Sequence, residues 1–237
     1  MDTNKKTARI VGVLFIIATV SSIVGTIVVG STLDTSSSWL GFISAHAVQI
    51  KVSSLLHFIA ALGSVSIAVW LYPILKKYNP YLALTAVVFR TIEAVFYTVA
   101  AVGSLSLITI GQEYLKAGSP KDSFFQALGN YLLTTRDAAS FIFAVIAFVL
   151  VALAYYFIFY QSKLVPLWLS VWGILSCIFL LIAVFSSLYN GPAFAIAGKT
   201  MILAASIAIQ EMVLAVWLIV KGFNPSAIAS KSNQLDS

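Results

Sequence analysis

The sequence predicts an all-α polytopic membrane protein, a bundle of six transmembrane helices. Three observations carry that prediction. Only 9% of the 237 residues are charged and 60% are hydrophobic, whereas soluble domains carry about 25% charged residues. The mean hydropathy is +0.99. The apolar residues also fall into six runs, each long enough for a ~30 Å hydrocarbon core. These runs place helices at about 9–30, 52–75, 81–110, 135–160, 164–188 and 199–221. They form one domain over residues 1–223, followed by a polar tail over 224–237.

Each element has its own signals. Lys5, Lys6 and Arg9 precede an uncharged run from Ile10 to Leu33. That run exceeds the ~7–15 apolar residues of a signal peptide, and no small-x-small cleavage site follows it, so a retained first helix is expected. Thr19, Ser22 and Thr26 share one of its faces, expected to pack inward. Gly12 and Gly25 would allow close helix contact. A serine-rich loop is expected over 34–50, with Trp39 as an interfacial anchor. Lys51 opens the second run, where Ser53, Ser54 and His57 share a face. Lys76-Lys77 mark its end. Asn79-Pro80 is a turn with proline at a helix start. Ser119-Pro120 repeats that signal as a cap. The segment from there to about Asn130 is mixed in character and expected along the interface. Gln161-Ser162-Lys163 is a tight connection. Tyr189-Asn190-Gly191-Pro192 breaks the fifth helix, and Gly222 suits a C′ cap after the last one. The tail from Asn224 is expected to be disordered.

Six spans put both termini on one side. With the termini inside, the inner segments hold Lys5, Lys6, Arg9, Lys76, Lys77, Lys163, Lys221 and Lys231, and the outer segments hold Lys51, Lys116, Lys121 and Lys199. The bias places both termini in the cytoplasm. The net charge of +6 is therefore a topology signal. No basic patch with interleaved aromatics points to nucleic acid. Cys177, alone, cannot form an internal disulfide or a C-x-x-C site.

The informative residues are charges inside the spans. Arg90 and Glu93 stand three residues apart in the third helix, and Glu211 lies in the sixth. At 1.5 Å per residue, Arg90 is roughly 14 Å and Glu93 roughly 18 Å from the inner surface, and Glu211 is roughly 15 Å from it. All three reach one mid-membrane level. Each costs about 2.5–3.5 kcal/mol there. Arg90 and Glu93 can meet on one helix face, which leaves Glu211 unpaired unless Arg90 bridges both carboxylates. His57, Arg136 and Asp137 fall at a second level near the outer face. The mid-membrane charges fit a ligand, ion or proton site. They equally fit a lock that sets helix register with no chemistry.

Other chemistry finds no support. There is no H-E-x-x-H, G-x-S-x-G, Walker A or Rossmann fingerprint. Asp137 is the one aspartate in a span, so a paired-aspartate protease is unsupported. His57 is the one histidine in a span, too few for bundle haem ligation. No metal and no cofactor is expected.

Several short motifs, taken in order, resemble a known family. They are Arg9-Ile10-Val11-Gly12, Leu71-Tyr72, Leu82-Ala83-Leu84 through Phe89-Arg90-Thr91-Ile92-Glu93-Ala94, Pro166-Leu167-Trp168-Leu169, and Glu211 through Trp217-Leu218-Ile219-Val220-Lys221-Gly222. Together, over about residues 8–223, they resemble the prokaryotic membrane family numbered 4386 among the domains of unknown function. The fourth helix fits that pattern less well. The resemblance implies a small multi-spanning protein of a prokaryotic cell membrane and implies no activity.

The leading expectation is a non-enzymatic carrier or small-ligand binder. In it Arg90 would hold an anion or pair the carboxylates, and Glu93 and Glu211 would titrate. An enzyme acting on a lipid or isoprenoid is the second reading. A structural or regulatory subunit with a dry charge cluster is the third. The expected partners are the lipid bilayer and an unidentified small ligand or protein.

Overall fold

The computed structural model describes residues 3–29, 39–120, 124–190 and 199–235. The helices are α1 (Thr3–Val29), α2 (Trp39–Ala45), α3 (Ala47–Leu75), α4 (Pro80–Lys116), α5 (Phe124–Asp137), α6 (Ala144–Ser162), α7 (Leu167–Asn190), α8 (Lys199–Val220) and α9 (Pro225–Leu235). A π-helical stretch, Ala138–Phe143, joins α5 to α6 without a break. Among the described residues there is no strand. Five helical segments are long and apolar enough to cross a membrane, and α8 adds the shorter apolar stretch Ala205–Val220. This is an all-α multi-pass bundle.

The packing order is a closed ring. α1 packs on α3, α3 on α4, α4 on α6, α6 on α7, α7 on α8, and α8 back on α1. Each helix turns one stripe inward. On α1 the stripe is Ala8, Val11, Phe15 and Ala18, all buried, at the three-to-four spacing of one helix face. The outer faces stay apolar as well: Val13, Ile17, Val20 and Ile27 are exposed on the same helix, as lipid contact requires. At Gly12 the ring closes tightly. A Cβ there would lie 2.6 Å from the Ala215 carbonyl of α8.

Helix ends follow their capping residues. Asn79 Oδ1 accepts from Leu82 N–H at 3.0 Å, with Pro80 in the first turn. α6 stops at Lys163, which takes φ 55. α8 stops at Gly222, φ +76, whose N–H donates to Trp217 O at 3.2 Å; the expected C′ glycine is in place. The expected helix start at Ser119-Pro120 is not seen: both residues are non-helical, Ser119 takes φ 55, and α5 is described from Phe124; residues 121–123, the Gly191-Pro192 break and 34–38 of the serine-rich loop lie outside the described residues.

Four local expectations are corrected. The 34–50 loop is helical from Trp39 onward, and α3 begins at Ala47 rather than 52. Trp39 is buried, not an interfacial anchor. It joins Leu40, Ile43, Ile50, Leu107, Ile108 and Tyr114 in a small second core. This core exists because α4 and the α5–α6 rod run roughly 55–58 Å, well beyond a ~30 Å bilayer core, and α2 covers the apolar surface they carry past it. The segment near Asn130 therefore packs on α4 instead of lying along the interface. The tail is not disordered from Asn224. Asn224 Oδ1 accepts from Ser226 N–H at 3.1 Å and starts α9. Phe223 and Ala227 are buried, and Tyr78 donates to Ala227 O at 3.2 Å.

Candidate functional site

Arg90 lies on the inward face of α4, at the centre of the ring, and is 2% exposed. Glu93 follows one turn later on the same face. Its Oε2 accepts from Arg90 Nη1 at 2.8 Å. The same Nη1 also donates to Ser64 Oγ of α3 at 3.3 Å. Two rings of α6 flank the guanidinium: Phe148 with its centroid at 5.2 Å and Tyr155 at 5.8 Å. A desolvated cation over an aromatic face gains about 2 kcal/mol, which offsets part of the cost of burying it. The guanidinium is thus held from α3, α4 and α6 together.

Glu211 arrives from the other side of the ring, on α8, and is buried. It lies near enough to Arg90 and Glu93 for their charges to interact. It is not part of the ion pairs found among the described residues. Its Oε2 accepts one bond, from Thr19 Oγ1 of α1, at a long 3.4 Å. Arg90 pairs with Glu93, while Glu211 is within range of their charges without forming an ion pair with Arg90 among the described residues.

The inventory of polar atoms around the cluster does not close. Among the described residues, Arg90 Nε and the Tyr155 hydroxyl are buried without a well-formed hydrogen bond, although the hydroxyl lies close beside the Arg90 guanidinium; the Ser170 hydroxyl of α7 is buried likewise. Such groups are few in folded proteins and each requires an explanation. Next to Glu211, by contrast, Gln210 is fully engaged. It accepts from the Tyr156 hydroxyl and donates from Nε2 to Leu169 O at 3.0 Å, tying α8 to α6 and α7. Gly173 makes room for that Tyr156 ring; a Cβ there would sit 2.6 Å from it.

Sequence reasoning identified Arg90, Glu93 and Glu211. Tyr155, Phe148 and the Gln210–Tyr156 link were missed. The adjacency of Gln210 to Glu211 was the available signal. The ring that touches Arg90 had none, because aromatics are spread throughout the chain. Thr19, expected on an inward-packing face, and Ser64 of α3 are both hydrogen-bond partners of the cluster. Thr26, on the same expected face as Thr19, is exposed and bonds back to Ser22 O within its own helix at 3.0 Å.

The outer polar residues assemble only in part. Arg136 and Asp137 pair with each other, Nε to Oδ1 at 2.8 Å, at the start of the π-helical stretch. Ser140 Oγ donates to Arg136 O at 3.0 Å. His57 Nδ1–H donates to Ser53 O of its own helix at 2.8 Å. It packs so closely on α1 that a Cβ at Gly25 would lie 2.8 Å from its Cε1. Among the described residues no group of three or more metal-ligating side chains occurs.

Two cavities of about 600 and 390 Å³ open on the bundle, and neither is lined by Arg90, Glu93 or Glu211.

Comparison with known proteins gives one match. The family model described as "Domain of unknown function (DUF4386)" covers residues 10–222. No curated protein matches, and no solved structure does.

Proposed function

The chain belongs to the DUF4386 family, and on that premise we propose that it is a multi-pass cell-membrane protein, with both termini cytoplasmic, that takes up a small polar ligand or a proton at the Arg90/Glu93/Glu211 layer. One observation carries this reading: polar capacity is left open at the centre of an apolar ring. Among the described residues, Arg90 Nε and the Tyr155 hydroxyl, side by side, make no well-formed hydrogen bond, and Glu211 accepts only a 3.4 Å bond from Thr19. In this reading Glu93 keeps Arg90 in place, Arg90 and Tyr155 present donors, and Glu211 is the group that gains and loses a proton. A neutral carboxyl is also far less costly at that depth than a charged one.

The burial of Arg90 and Glu93, each 2% exposed, favours a second reading, in which the cluster is a dry lock between helices. An enzyme acting on a lipid needs a lipid-open cleft flanked by Arg90 and a carboxylate, and neither cavity supplies one.

Glu211→Gln separates the two readings. Tryptophan fluorescence and thermal stability of purified protein are followed from pH 5 to 9. The proposal expects a pH-dependent change in the wild type that Glu211→Gln abolishes. A variant that leaves both the pH response and the stability unchanged sinks the titrating role.

A further inference from the structure

The two cavities adjoin one another. They share Trp217 and Lys221. The larger is an open groove along α8, bordered by Ile23 of α1 and Trp168 of α7 and lined by apolar residues from Ala208 down to Val216. It ends at Trp168, Trp217 and Lys221. From Ala208 to Lys221 the helix rises roughly 20 Å, enough to cross one leaflet of a ~30 Å core. The smaller cavity continues past this end, between the α6–α7 turn and the start of α9, and brings in Lys163, Gly222 and Asn224. Both lysines are exposed, and neither takes part in an ion pair among the described residues. The carboxylates of the described residues lie elsewhere: Glu93 and Glu211 at mid-depth, Glu113 and Asp137 toward the opposite end. α9 also points its N-terminus, the positive end of its dipole, at this cavity.

We propose that this composite cavity is a binding site for one anionic phospholipid. One acyl chain would lie in the α1/α7/α8 groove and the phosphate would sit between Lys163 and Lys221. Charge and shape argue for the same occupant. The groove can solvate only hydrocarbon, and its mouth is cationic with no counter-charge beside it among the described residues. The tryptophans at the junction sit where an interfacial belt places them. The site shares no residue with the Arg90 layer, so the two proposals fail independently.

The test uses the full chain in detergent micelles, with phosphatidylglycerol carrying brominated acyl chains as the probe. Bromine quenches indoles at close range, and Trp168 and Trp217 line the groove. Saturable quenching is expected with phosphatidylglycerol, and much weaker quenching with brominated phosphatidylcholine. The Lys163→Gln/Lys221→Gln variant should weaken phosphatidylglycerol binding roughly thirtyfold, from about fivefold per basic residue at an anionic surface, while leaving the phosphatidylcholine response unchanged. Val216→Phe, on a lipid-facing position, should fill the groove and weaken binding without lowering thermal stability. Equal quenching by the two lipids overturns the proposal, and so does full affinity in the double lysine variant. Displacement by millimolar inorganic phosphate would assign the affinity to a free-phosphate pocket and also overturn it. So would native mass spectrometry showing a dimer whose formation excludes lipid.

Discussion

Replacing Glu93 by glutamine removes one charge from the centre of the ring and keeps the shape. The pair it breaks has N and O 2.8 Å apart, with both side chains almost fully buried. Two unit charges at about 4 Å between charge centres attract by about 4 kcal/mol at an effective dielectric constant of 20. Removing one partner of a buried pair costs about 3–5 kcal/mol, because the other charge is left uncompensated. Glutamine can still accept one bond from Arg90, and the Phe148 and Tyr155 faces remain. Together these place the expected loss near the lower end, about 3 kcal/mol. Glu211→Gln gives up only a long bond from Thr19, so about 1 kcal/mol or less is expected. The assay is reversible unfolding in mixed detergent micelles, read by far-ultraviolet circular dichroism, with the two variants side by side. An Arg90→Met/Glu93→Leu double variant should recover most of the loss, since neither charge then remains buried. The reasoning is refuted if Glu93→Gln costs less than Glu211→Gln, because Glu211 would then be the carboxylate that compensates Arg90.

Two further outcomes follow from the packing and the tail. Gly12→Val should destabilise the bundle by about 1–3 kcal/mol through overpacking, since even its Cβ would stand 2.6 Å from Ala215 O; the α1–α8 seam should lose amide-exchange protection ahead of α3–α4. The Tyr78 hydroxyl, which donates to Ala227 O at 3.2 Å, has a pKa raised above 10.0 by burial. The folded state therefore holds the proton more tightly than the unfolded one. The stabilisation is complete below pH 10, where both states are protonated, and it is lost as the pH rises through the folded value. Limited proteolysis should accordingly release α9 faster at high pH, and Tyr78→Phe should show faster release at neutral pH with little further pH dependence.

Hydropathy made the five membrane-length helical segments and the shorter apolar stretch of α8 legible, because lipid on one side and a packed interior on the other leave only apolar residues. The charges stood out for the same reason, and helical rise alone brought Arg90, Glu93 and Glu211 to one level. The features that were missed depend on tertiary neighbours. Trp39 reads as a belt residue in a serine-rich segment, and only the overhang of α4 and the α5–α6 rod beyond a bilayer's thickness turns it inward. The closure of α8 on α1, which fixes where Glu211 sits, leaves no trace in any single run. The start of α9 was legible and passed over. Asn224-Pro225 is the same cap-and-proline signal as Asn79-Pro80, but here it precedes a polar stretch whose one apolar stripe, Phe223, Ala227 and Ile228, is short.

The two carboxylates differ in how their distance to Arg90 is fixed. Glu93 shares a helix with it, three residues on, so their separation can change only by rotamer or by unwinding α4. Glu211 is placed by the α8–α1 and α8–α7 contacts, and its distance to Arg90 is purely tertiary. A ligand, a proton or a shift of α8 can therefore alter the Arg90–Glu211 interaction while leaving Arg90–Glu93 intact. In the proposed reading, Glu93 anchors Arg90 and Glu211 is the variable partner. Arg90 Nε and the Tyr155 hydroxyl, without a well-formed hydrogen bond among the described residues, are what it can respond through. With Nη1 already committed to Glu93 and Ser64, the remaining donors of the guanidinium are the ones through which Arg90 can respond to anything that enters from the Glu211 side.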